Sequence, residues 1–104
     1  MDGENFPIEF NNEIDEVKKR ENEIYTLAVD RLSKLAKGHD DISGAVVNLR
    51  QPVSYLYEVT IVVYMGSDDI AATEKGEQLQ ATLFGALTAV ERQVRERRTQ
   101  ERNY

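Results

Sequence analysis

Few side chains in this sequence are suited to making or breaking bonds. There is no cysteine, which removes thiol catalysis, disulfides and thiolate metal sites together. The one histidine, His39, sits in the polar run GHDD (38–41), where a turn and a solvated imidazole are expected. Ser33, Ser43, Ser54 and Ser67 lie in no nucleophile-elbow context and are explained as helix surface or turn residues. The carboxylate pairs Asp40/Asp41 and Asp68/Asp69 fall in predicted turns, where aspartate is common for its local hydrogen bonds. No loop alternates oxygen ligands as a calcium site does, and there is no glycine-rich phosphate loop or His-Glu-x-x-His. A base poised beside a nucleophile or substrate proton is therefore missing, and we expect neither an enzyme nor a bound cofactor or metal.

Arginine supplies the chemistry that is present. Arg92, Arg95, Arg98 and Arg102 recur at three- and four-residue steps, so on a helix they fall within roughly one third of the circumference. Arg97 falls off that strip, near the continuation of the apolar one, where it would lie over a sheet edge. Earlier in the chain Arg31, Lys34 and Lys37 stack at three-residue steps and predict a second cationic edge. Such edges bind phosphate, yet the net charge is −6, which by itself opposes nucleic-acid binding. The charges are segregated: residues 1–23 hold eight acids against three bases, and residues 81–104 hold five arginines against three glutamates. Because screening confines each charge to about a Debye length, a local cationic face can act on an acidic protein. Tyr55, Tyr57 and Tyr64 could stack on bases, but alternation sends Tyr55 and Tyr57 toward a core and only Tyr64 to the open side.

The elements that must carry these residues follow from periodicity. Residues 1–6 are expected to be a flexible tail and residues 7–102 one domain, a size that buries a single core without staples. Ile8 and Phe10 alternate with polar neighbours after Pro7, predicting a short strand. The charged stretch after Asn12, including Lys18, Lys19 and Arg20, has no clear assignment. Ile24, Leu27, Ala28, Leu32, Leu35 and Ala36 predict a helix, with Asn22 as N-cap and Gly38 as its stop. Ile42–Arg50 is rich in β-branched residues and is expected to end at Gln51-Pro52. From Tyr55 to Met65 strict alternation predicts a strand with Tyr55, Tyr57, Val59, Ile61, Val63 and Met65 on its core side. Gly66 to Asp69 predicts a hairpin turn and Ile70–Thr73 the returning strand. Leu79, Leu83, Ala86, Leu87, Val90 and Val94 make the first part of a helix over 78–102 a core element. The order β-α-β-β-β-α predicts an α+β two-layer sandwich, both helices on one face of a four-stranded sheet. No run of 18 apolar residues would span a membrane and no secretory signal is visible, so a cytoplasmic protein is expected.

With that order in place, the sequence resembles the ribosome hibernation promoting factor / ribosome-associated inhibitor family, also called the sigma-54 modulation protein family. The likeness rests on LSKLAK (32–37) with DI (41–42), YEVTIVV (57–63), IAATEKG (70–76) and above all AVERQVRERR (89–98). The resemblance is to the short class, and it implies a fold similar to double-stranded-RNA-binding domains. It also implies binding to the small ribosomal subunit, keeping idle ribosomes inactive, through rRNA contacts from basic side chains on both helices. By position that assigns Arg31 and Lys34, and Arg92, Arg97 and Arg98. Lys37, Arg95 and Arg102 join them on the geometric argument above. The sequence departs from the family pattern at GlnLeuGln (78–80), Phe84 and Ala89. The alternative expectation is a protein-interaction module that has kept the fold and lost the ribosome, with a homodimer formed through the open sheet face around Leu56, Val62 and Tyr64.

Overall fold

The computed structural model describes residues 7–14, 21–39, 41–66 and 68–102, and the side chains of all of these except residues 21 and 98–102. The expected tail over 1–6, the Lys18–Arg20 cluster, Asp40 and Ser67 lie outside the described residues. The order is β1 (Ile8–Asn12), α1 (Glu21–Lys37), β2 (Ile42–Val53), β3 (Leu56–Met65), β4 (Asp68–Gly76) and α2 (Leu79–Arg102), as the periodicity predicts. The strands lie in sequence order in one sheet. β2, β3 and β4 form an antiparallel meander, and β1 pairs with β2 in parallel, from Ile8 opposite Ala45 to Asn12 opposite Leu49. A parallel neighbour requires a crossover connection, and α1 is part of it.

Both helices cover the same sheet face. Ala45, Val47 and Leu49 of β2, Val59, Ile61, Val63 and Met65 of β3, and Ile70 of β4 point into a core closed by Ile24, Ala28 and Leu32 of α1. Leu79, Leu83, Ala86, Leu87, Val90 and Val94 of α2 complete it, every one of them buried. Burying a leucine or valine of this kind contributes about 1.5–3 kcal/mol, so this stripe holds α2 on the sheet. The opposite face carries polar rows that cross the strands, beside an apolar row of Val46, Val62 and Ala71. Arg50, Glu58 and Lys75 form one row, with Arg50 Nη1 3.1 Å and Lys75 Nζ 3.9 Å from the shared carboxylate. Asn11 donates to Asn48 at 2.8 Å, and the Thr60 and Thr73 hydroxyls meet at 2.9 Å in the next row.

Several local expectations are corrected. Asn22 lies inside α1 and does not cap it. β2 continues through Gln51-Pro52 to Val53, because the register with β3 slips between Arg50 and Val53, and a proline is tolerated where the ladder is irregular. Tyr55 is 71% exposed in the β2–β3 turn, while Tyr57 packs half-buried against the core. β4 is longer than expected at both ends: Asp68 pairs with Met65, Asp69 with Tyr64 and Gly76 with Tyr57. The Asp68/Asp69 pair is thus in a strand, where successive side chains point to opposite faces and cannot chelate one ion together. Gly66 supplies a left-handed backbone (φ 51°) to the tight turn. Ile14, one apolar residue in a charged stretch, is buried beyond β1, where Asn12 Oδ1 accepts from its N–H at 2.9 Å.

Candidate nucleic-acid interface

Where the two cationic edges go depends on the direction of the helices. α1 ends at Lys37, and the chain turns directly into Ile42, which faces Met65 at the end of β3. The Gly66 N–H donates to Asp41 O at 3.1 Å, joining the α1–β2 loop to the β3–β4 turn. α2 runs back along β4: Gly85 sits over Glu74, Gln93 Nε2 donates to Ala71 O at 3.3 Å, and Arg97 pairs with Asp68. Both helices therefore terminate at the same end of the sheet. Their C-terminal carbonyls face that end, where a basic side chain is favourably placed.

Lys34 and Lys37 of α1 and Arg92 and Arg95 of α2 are all exposed on this end of the helix layer. Lys34 makes a same-helix pair with Asp30 at 3.3 Å, but its side chain is 72% exposed and such pairs contribute only a few tenths of a kcal/mol. The backbone of α2 carries positions 98 and 102 onward in the same helix. At 24 residues α2 is about 36 Å long, and its last buried apolar residue is Val94, so the final turns extend beyond the core.

Arg31 and Arg97 hold carboxylates of other elements. Arg31 Nε and Nη2 donate to the two carboxylate oxygens of Glu91 at 2.9 and 2.7 Å, a bidentate bridge between the helices. Its guanidinium also lies 5.9 Å from the centroid of Phe84, one of the positions where the sequence departs from the family pattern. The hydrogen bond to Glu91 raises the Arg31 pKa further above its ordinary value, so this group is a permanent cation. Arg97, on the opposite flank of α2, joins Gln93 in fastening the helix to the edge strand β4. These partners were not readable from the sequence. Glu91 and Asp68 are remote in the chain from the arginines they hold, and their one visible signal was opposite charge.

The remaining chemical candidates stay apart. His39 is half-buried at the foot of α1, with its N–H donating to Ala36 O at 3.2 Å and its carbonyl accepting from Ile42. Ser33 is on α1 and Ser43 donates to Tyr64 O. Among the described residues no three His, Asp or Glu side chains converge as metal ligands, and no helix is long and apolar enough to cross a membrane. The open face carries Tyr64, 39% exposed, beside half-buried Val62.

A family model described as sigma 54 modulation protein / S30EA ribosomal protein matches residues 19–102. No curated protein matches the sequence. Among solved structures the fold is similar to that of a ribosomal subunit interface protein from Coxiella burnetii, with a TM-score of 0.64 at 12% identity, covering 90% of this chain and 99% of that one. It is also similar to the N-terminal domain of Protein Y from Thermus thermophilus, with a TM-score of 0.64 at 18% identity, covering 88% and 97%. At these identities the likeness is one of fold.

Proposed function

This chain belongs to the sigma 54 modulation protein / S30EA ribosomal protein family, and on that premise we propose that it is a cytoplasmic, ribosome-associated translation regulator, without catalytic activity, that stabilises idle ribosomes. It binds the small subunit through the helix layer. Lys34, Lys37, Arg92 and Arg95 contact rRNA phosphates, and Arg98 and Arg102 extend the same strip along α2. Arg31 and Arg97 hold carboxylates of other elements, so their contribution requires a change of partner. The observation that supports this reading best is the convergence of both cationic helix ends at one end of the sheet, in a chain whose family match spans both helices.

Phosphate contacts release counterions, so binding must fall steeply with salt. Co-sedimentation with small subunits at low and high salt tests this. We expect pelleting at low salt that is lost as salt rises, and a chain that stays in the supernatant at low salt rules the reading out. Arg95→Glu with Arg98→Glu should abolish pelleting and leave the thermal melt nearly unchanged, because both positions lie beyond the buried stripe.

A second reading draws support from the open sheet face. There Tyr64 and Val62 form an uncovered apolar spot on a protein of net charge −6. On that reading the chain is a self-association module, and the face pairs with a second copy.

A further inference from the structure

Arg92 and Arg95 are exposed, whereas Arg31 is half-buried. Its Nε and Nη2 edge is the edge of a guanidinium that grips two oxygens of one phosphate, and here it grips both oxygens of Glu91. The two anions cannot occupy that edge together. The pair stands at the rim of the cationic helix surface, with the Arg31 side chain 32% exposed and that of Glu91 18%. Phe84 lies beside the guanidinium and helps hold it in place. Arg31 is thus positioned for an incoming anion while one is already bound.

We propose that Glu91 is a built-in competitor for phosphate at Arg31, so that this arginine adds to binding only when a phosphate is delivered to its fork. The inference rests on the ribosome reading above. An unstructured polyanion gains nothing from Arg31, because displacing Glu91 would leave a largely buried carboxylate without its partner. An rRNA surface of fixed shape can place a phosphate at the fork and supply compensating contacts from Lys34 and Arg95 nearby. Glu91 therefore lowers affinity for generic RNA more than affinity for the correct site, which is how a repulsive element produces specificity.

The test compares oligouridine with small ribosomal subunits as probes of the full chain. Glu91→Gln should bind oligouridine several-fold more tightly than the wild type, with a salt slope steeper by about 0.7, one single-strand phosphate contact. Glu96→Gln removes the same charge from an exposed position of the same helix and controls for net charge. Its gain should be smaller and should persist when Arg31→Gln is added, whereas the Glu91→Gln gain should vanish. The charge-neutral pair Arg31→Gln/Glu91→Gln guards against misfolding of the single variant. It should match the wild type on oligouridine and bind small subunits about tenfold more weakly, the loss of one bidentate contact. Equal gains from Glu91→Gln and Glu96→Gln, or a Glu91→Gln gain that survives without Arg31, would overturn the inference while leaving ribosome binding intact. Failure of the wild type itself to pellet with subunits at low salt would overturn both.

Discussion

Individual residues decide how closely α2 approaches the sheet. A Cβ added to Gly76 would lie 2.5 Å from Thr82 Oγ1, and that hydroxyl is fixed by its own bond to Gln78 O at 2.7 Å. Thr82 is buried, so the contact cannot relax by swinging into solvent. Gly76→Ala should therefore destabilise by about 1–3 kcal/mol in urea unfolding, the usual cost of overpacking. Adding Thr82→Ala should recover part of that loss, and strictly additive losses would show that the clash is not the cause. At the same scale the site was half legible. The arginine types and spacing marked the proposed binding strip, but opposite charge alone did not reveal that Arg31 and Arg97 had partners across the fold.

At the scale of the element, α2 divides into an anchoring half and a half that we propose does the binding. Leu87 is fully buried, so Leu87→Ala should cost about 2–5 kcal/mol. Arg92→Ala with Arg95→Ala changes only exposed positions and should leave stability within about 0.5 kcal/mol while weakening small-subunit binding. Comparable stability losses in the two variants would contradict the division. The flank bearing Gln93 and Arg97 has a separate task. β4 is an edge strand, and unpaired edge groups are a template for association with another chain. Gln93 caps the Ala71 carbonyl and Arg97 holds Asp68 at the start of the strand. Gln93→Ala with Arg97→Ala should increase self-association in sedimentation velocity, and an unchanged profile would show that these contacts do not guard the edge.

The whole molecule combines a net charge of −6 with a cationic end assembled from two helices. Its uncovered sheet face carries two polar rows whose members satisfy one another, which suits contact with water. A pure sample should accordingly remain monomeric as concentration rises. A concentration-dependent dimer that Tyr64→Lys abolishes would instead favour the self-association reading.

The sequence by itself determined the element order, the core stripe of α2 and the cationic strips, because each is a periodic pattern written along one continuous segment. It also carried the family likeness. It did not determine the extent of β4, the exposure of Tyr55 or the burial of Ile14, since those depend on which strand lies alongside and which register the pairing takes. Only the tertiary structure decided that α1 and α2 end together, because their relative direction is set by the parallel β1–β2 pairing and the return of α2 along β4. It alone revealed which carboxylates Arg31 and Arg97 hold. Position 31 meets position 91 through packing between two helices, a contact that no local periodicity encodes.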